Sequence, residues 1–156
     1  MTSSPVNELS FQDQGSVRYC HGCGADNEKG LRIKSYWDGD EAVATWQPQA
    51  HHCAGTPDRL NGGIIASLIE CHSLNLAIAR AYRDEQRAIG STPRIGYVTA
   101  NLNVSYLKPT PLGEIIELRA RIDKLEGRKI WVSCSLTALG ELRATGTVLG
   151  VRVNWD

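Results

Sequence analysis

The chain has 156 residues, 42% of them hydrophobic and 22% charged, enough for one domain with a real core, too few for two ordinary ones, and too apolar for a disordered chain. Its 17 basic and 17 acidic side chains cancel, which argues against nucleic acid or an anionic membrane as the main partner and leaves room only for a local basic patch. No uninterrupted apolar run approaches the length of a membrane span, the opening Met1-Thr2-Ser3-Ser4-Pro5 has no signal-peptide pattern, and the five cysteines are an odd number, so the expectation is a cytoplasmic protein with reduced thiols.

Residues 1 to about 15 are polar and read as a loose or helical lead-in to a single domain over 16–156. A turn-rich patch follows at His21-Gly22-Cys23-Gly24-Ala25-Asp26-Asn27. Residues 31–37 and 41–47 read as two strands, and the Asp38-Gly39 pair between them is a hairpin signal. A loop over 48–59 carries His51, His52 and Cys53. The chain then enters a long segment, from about Gly62 to Tyr82 or a little beyond, that is apolar on most faces, as suits a helix packed at the centre of a domain. Beyond it, apolar residues recur at every second position. Val98, Ala100, Leu102, Val104 and Tyr106 share one face, as do Ile116, Leu118, Ala120 and Ile122, and Ile130, Val132, Cys134, Leu136 and Ala138. Period two marks strands with one covered face. Glu126-Gly127 and Gly140-Glu141 mark tight turns, and the last strand, 142–153, is interrupted by Gly146 and Gly150. Short connections imply antiparallel pairing. The expected architecture is α+β, a long helix wrapped by one antiparallel sheet.

The helix start carries the chemistry. Leu60-Asn61-Gly62-Gly63 opens it and Glu70 lies two turns in. The first N–H groups of a helix have no partner within it, so they attract negative charge, and glycines let a ligand approach them. A carboxylate in an otherwise apolar helix is costly unless paired or used. Donors plus a carboxylate can polarise a carbonyl and activate water. Equally, the glycines can serve tight packing alone, with Glu70 paired to an arginine.

The element order resembles the hotdog fold. The stretches CHGCGADNEKGL (20–31), AGTPDRLNGGIIASLIE (54–70) and VTANLNVSYLKPTPLGE (98–114) resemble consecutive blocks of the phenylacetate-type acyl-CoA thioesterases, a similarity that spans about residues 16–153. The resemblance implies a six-stranded antiparallel sheet around the helix and a motif of His-Gly-Gly followed by Asp or Glu nine positions after the His. In this sequence that position is Glu70, which the resemblance makes the general base or nucleophile. The Gly62 backbone N–H would polarise the thioester carbonyl. Two positions depart from the motif: Asn61 replaces the histidine, and Cys53 stands where many relatives carry a second one. Asn61 can donate and accept hydrogen bonds but cannot carry a proton as imidazole does near neutral pH. Its expected role is to position the thioester or the helix start.

Gly62 and Glu70 are eight residues apart, about 12 Å along one helix, too far for both to touch one thioester carbon. Either a loop brings a second group to Glu70, or two chains pair with helices antiparallel. Hotdog thioesterases do the latter, so the resemblance implies an obligate homodimer with two shared active sites, and possibly a homotetramer. The substrate would be an acyl-CoA, with no cofactor beyond the coenzyme A it carries. Gly63, Ser73, Arg59, Arg94 and Lys108 are candidate substrate-binding residues, the three basic ones for the coenzyme A phosphates. Solvated surface charge is the plainer reading of each. His72 is expected to be packed or at an interface. Trp46 or Trp37 could line an acyl pocket, although core packing suits both. Cys20 and Cys23 form a C-x-x-C that Cys53 with His51 or His52 could complete as a zinc site. That second half lacks the usual spacing, and the resemblance implies a plain turn, so no metal is expected. Two other functions stay open: a hotdog hydratase or dehydratase, whose carboxylate is usually paired with a histidine, and a non-catalytic acyl-CoA binding protein, which loss of the motif histidine would suit.

Overall fold

Residues Gly62–Asp84 form α2, a 23-residue helix around which the rest of the domain is laid. The computed structural model describes residues 8–156; the first seven residues of the lead-in lie outside the described residues. In chain order the elements are α1 (Phe11–Gln14), β1 (Tyr36–Asp38), β2 (Glu41–Trp46), α2, β3 (Ile95–Tyr106), β4 (Ile116–Glu126), β5 (Lys129–Ala138) and β6 (Glu141–Asn154). The six strands make one sheet in the order β1-β2-β4-β5-β6-β3, every pair antiparallel. By length and hydropathy α2 could cross a membrane, but its apolar surface is spent on the sheet. Leu68, Ile69, Leu76 and Ala77 of α2 and Ile116, Leu118, Ile130 and Leu136 of the strands are sealed from solvent.

The glycines of β6 explain how the helix comes so close. A side-chain carbon on Gly146 would stand 2.5 Å from Ile69 Cγ2, and one on Gly150 would stand 3.0 Å from Leu74 Cδ2. Both interrupt the apolar pattern of the strand because α2 fills the space. The turns read from the sequence are present. Asp38 pairs with Glu41 and Glu126 with Lys129 across two-residue loops holding Gly39 and Gly127 at positive φ. Leu139 and Gly140, both at positive φ, link β5 to β6 as a type I′ hairpin requires.

Two expectations need correction, and one is decided between its alternatives. The first strand is shorter than read: only Tyr36–Asp38 pairs, because Arg32 takes a positive φ and Leu31–Ser35 runs outside the ladder. Of the loose and helical alternatives for the lead-in, its described part takes the helical one: Phe11–Gln14 forms α1, with Ser10, Phe11 and Gln12 buried. Finally, β3 does not keep one apolar face along its length. Its register against β6 shifts between Thr99 and Asn101, a bulge that exchanges the two faces of the strand. Tyr97 is buried while Val98 is 46% exposed, and beyond the bulge Leu102 and Val104 pack on the core.

His72 is the packed histidine expected, with both ring nitrogens engaged. Nε2 lies 3.0 Å from the Ala42 carbonyl and Nδ1 2.7 Å from Ser35 Oγ. The carbonyl can only accept, so Nε2 carries the proton and Nδ1 accepts from the Ser35 hydroxyl. Ser35 Oγ in turn accepts from Gln12 Nε2, and Gln12 Oε1 accepts from Ser35 N. This chain ties α1 to α2 and requires a neutral imidazole. Burial holds His72 down to about 4, below the usual 6.5. The unfolded chain therefore takes up this proton first, and its contribution to stability is complete above about pH 6.5 and lost as the pH falls toward 4. Denaturant titrations should show a loss on the order of 3 kcal/mol across that window, with His52, also held down by burial, adding to it. His72→Gln should flatten the slope. A slope unchanged in that variant would show that other groups carry it.

Candidate active site

The start of α2 is built by the segments that flank it. Asn61 N donates to the His52 carbonyl, Leu60 N donates to the Thr110 carbonyl, and Arg59 bridges to Pro111. These bonds hold the loops before α2 and after β3 side by side. Asn61 is the N-cap, with extended backbone and a side-chain Oδ1 that accepts from Gly63 N at 2.8 Å and from Ile64 N at 3.2 Å. An amide oxygen at this position satisfies orphan donors of the first turn. Among the described residues the Gly62 N–H has no acceptor. Tyr106 stands over it: its hydroxyl donates to the Gly62 carbonyl at 2.6 Å, and a side-chain carbon on Gly62 would meet its ring at 3.3 Å. The motif position that carries histidine elsewhere thus acts here through its capping oxygen, leaving one free donor beneath an exposed tyrosine.

Two turns on, Glu70 is half-buried and accepts a hydrogen bond from Thr99 Oγ1 at 2.5 Å. Among the described residues it meets no arginine. Thr99 reaches it because the bulge turns this residue toward the helix. Within one chain Glu70 and the Gly62 N–H remain separated by two helical turns, about 12 Å, and no loop of the chain brings a second donor to Glu70 beyond Thr99 among the described hydrogen bonds. Both face the side of α2 next to β3. That strand is the sheet's edge, twelve residues long, paired on one side only, with Val98 and Tyr106 exposed.

The remaining candidates divide. Gly63 lies exposed beside Gly62. Arg59 and Lys108 stand at the same end of α2, each in a surface ion pair, with Asp58 at 3.0 Å and with Glu141 at 3.1 Å. Arg94 is at the far end of β3, bound to Asp156 at 2.7 Å, and one chain does not bring it near the other two. Ser73 is a correction: it is fully buried, its hydroxyl beside the Cys134 thiol of β5, where no substrate reaches it. Trp46 donates to the Leu31 carbonyl within the core, and Trp37 is covered by Phe11 and the Arg83 guanidinium, so both serve packing. A groove of about 580 Å³ on the outer face of the sheet, between Arg119, Arg121, Ser133 and Thr147, holds none of the candidate residues. Thr99 and Tyr106 escaped the sequence reading. No local pattern announces a bulge, and Tyr106 fitted a covered strand face.

A family model described as the thioesterase superfamily matches residues 58–145. Acyl-coenzyme A thioesterase THEM4 of Mus musculus is 30% identical over 105 residues, which are 66% of this chain and 40% of that protein. The same enzyme of Bos taurus is 29% identical over 65% of this chain and 36% of its own length, so the chain spans well under half of these curated relatives. A thioesterase superfamily protein from Shewanella loihica PV-4 is 39% identical and superposes with a TM-score of 0.62, over 76% of this chain and 89% of that one. The E. coli PaaI protein from the phenylacetic acid degradation operon shares the fold, with a TM-score of 0.64 at 15% identity over 80% of this chain and 81% of its own. On the match of the superfamily model across more than half its length, together with the helix-in-sheet architecture, this chain belongs to the thioesterase superfamily and has its hotdog fold.

Proposed function

We propose that this chain hydrolyses acyl-CoA thioesters as a homodimer with two composite sites, in each of which Gly62 of one chain faces Glu70 of the other. The observation that carries the reading is the pairing of a free N–H at the start of α2 with a half-buried, hydrogen-bonded carboxylate on the same face, beside an unpaired strand edge. A thioester carbonyl accepting from the Gly62 N–H gains positive charge at carbon and has a donor for the oxyanion that forms. Glu70, oriented by Thr99, takes a proton from the attacking water, or attacks directly and forms an anhydride that water then opens. The C–S bond breaks, coenzyme A leaves as the thiol after protonation, and the acid is released. No metal or further cofactor enters these steps. Capping is a task that asparagine performs as well as histidine, so the departure at position 61 leaves the donor in place and takes away the main argument for a non-catalytic binder.

An exposed strand edge invites pairing with a second copy. Antiparallel pairing of β3 with its counterpart turns the partner's α2 so that the partner's Glu70 approaches Gly62. It also turns the Arg94 end of the partner's β3 toward the end of this chain that carries Arg59 and Lys108, gathering basic side chains for the phosphates of coenzyme A. Their existing surface ion pairs are weak enough to exchange for phosphate. A tetramer would use a second surface and is not needed for the chemistry. Five free thiols suit a cytoplasmic setting.

Glu70→Gln keeps the shape and the Thr99 contact but removes the base. Thiol-release assays across short, long and aromatic acyl-CoAs should show kcat at least about 10²-fold lower, with acyl-CoA binding retained; unchanged turnover would exclude Glu70 from the chemistry.

Gly62→Pro tests the donor and the assembly together. Asn61 at φ −62°, ψ 132° is compatible with a following proline, and the first helical position tolerates one. A side-chain carbon there meets the exposed Tyr106 ring at 3.3 Å. Glu70→Gln and Gly62→Pro chains, each inactive alone, should regain activity when mixed by unfolding and refolding. Random pairing makes about half of the dimers mixed, each with one intact site, so roughly a quarter of wild-type sites should return. No recovery in demonstrated heterodimers would exclude the shared site.

A further inference from the structure

Cys20, Cys23 and Cys71 take no part in this chemistry, and the fold brings them together. Their Sγ atoms all lie within 4.8 Å of one another, and those of Cys20 and Cys71 are 3.8 Å apart. Around one ion with metal–sulfur bonds of about 2.3 Å, sulfurs stand roughly 3.8–4.0 Å apart. The cluster is a small side-chain adjustment away from a single coordination sphere.

The turn at 20–24 is shaped to present these sulfurs. Gly24 N donates to the Cys20 carbonyl at 2.8 Å. A side-chain carbon on Gly24 would collide with the backbone of Arg18 and Cys20, and one on Gly22 would stand 2.3 Å from Cys71 Sγ. Glycine at 22 is therefore what lets the turn close over α2 at Cys71. Cys71 Sγ lies within thiol hydrogen-bond reach of Cys20 Sγ, and Cys23 Sγ closes the triangle.

We propose that Cys20, Cys23 and Cys71 form a three-thiolate site for one thiophilic d10 ion, which ties the 20–24 turn to α2 one residue from Glu70. Three soft donors select Cu⁺ or Zn²⁺ over harder ions. Cu⁺ would be complete with three sulfurs, whereas Zn²⁺ would take a fourth ligand from solvent on the half-exposed Cys20 side. A disulfide between Cys20 and Cys71 would use two of the sulfurs and leave the convergence of the third without a purpose. The ligands differ from those the sequence suggested: Cys53 bridges to Leu60 instead, and the third sulfur comes from within α2.

The test uses the whole chain, purified under reducing conditions without added metal. One portion is incubated with Zn²⁺ and another with Cu⁺ under anaerobic conditions. Both are desalted and measured by elemental analysis, and alkylation of the native thiols is followed by mass. One arm at least should retain one ion per chain, naming the metal, and the bound ion should protect Cys20 from alkylation until a chelator removes it. Cys20→Ser and Cys71→Ser should lose the ion and Cys53→Ser should keep it. If Cys71→Ser fails to fold, Cys20→Ser, on the half-exposed turn, decides the same point. Three results would each overturn the proposal: no ion retained in either arm, an ion retained by Cys20→Ser, or one lost in Cys53→Ser. Because none of these readouts is an activity, they stand or fall independently of the hydrolytic reading.

Discussion

The burial of α2 by the sheet on nearly every side is the constraint on which the rest depends. Sheets and helices usually meet along one stripe. In this fold the sheet curls around the helix, and Gly146 and Gly150 remove the side chains that would hold it off. Polar groups on α2 must then find partners inside the domain, as His72 does with Ser35 and Ala42, or lie on the one strip the sheet leaves open. Gly62, Gly63, Ser67 and Glu70 occupy that strip. The same curvature ends the sheet at β3, so the open strip and the unpaired edge adjoin.

The segment before the sheet completes the enclosure. Phe11 packs edge-on against Trp37 with ring centroids 4.9 Å apart, and the Arg83 guanidinium lies 3.4 Å from the Trp37 ring centroid. Gln12 reaches Ser35 and through it His72. A four-residue helix has little stability of its own; α1 is held by these contacts and by its Ser10 cap. Ser10, Phe11 and Gln12 of the lead-in are thus part of the core.

Much of this was legible in the sequence because it rests on short-range periodicity. The period-two runs of β4 and β5 put Ile116, Leu118, Ala120, Ile130, Val132 and Leu136 on the covered face where the structure has them, and the glycine-bearing turns lie where those residues stand. The long helix could be read because it is apolar on most faces, and Glu70 stands out as the one carboxylate in its first three turns. What escaped depends on backbone geometry or long-range contact. The bulge in β3 inverts an alternation that looks continuous on paper, hiding Thr99 and misassigning Val98. The third thiol lies 48 residues beyond Cys23 in the chain, and only the closure of the turn over α2 makes them neighbours. Ser73 looked available because it follows Glu70 by three positions, but the helix twist carries it toward β5.

The cap at Asn61 has an electrostatic consequence. The aligned peptide dipoles of α2 place partial positive charge at its first turn, and that turn holds no acidic residue. An aspartate would cap the same N–H groups, yet its full negative charge would stand beside the Gly62 N–H and cancel the potential there. The asparagine amide satisfies two donors without cancelling it. The helix therefore begins with its backbone needs met and its positive field intact, directed at the one N–H left unbonded. Against neutral ligands this field counts for little; it grows as negative charge builds on an oxygen bound there, so in the proposed hydrolysis it would favour the oxyanion over the resting carbonyl.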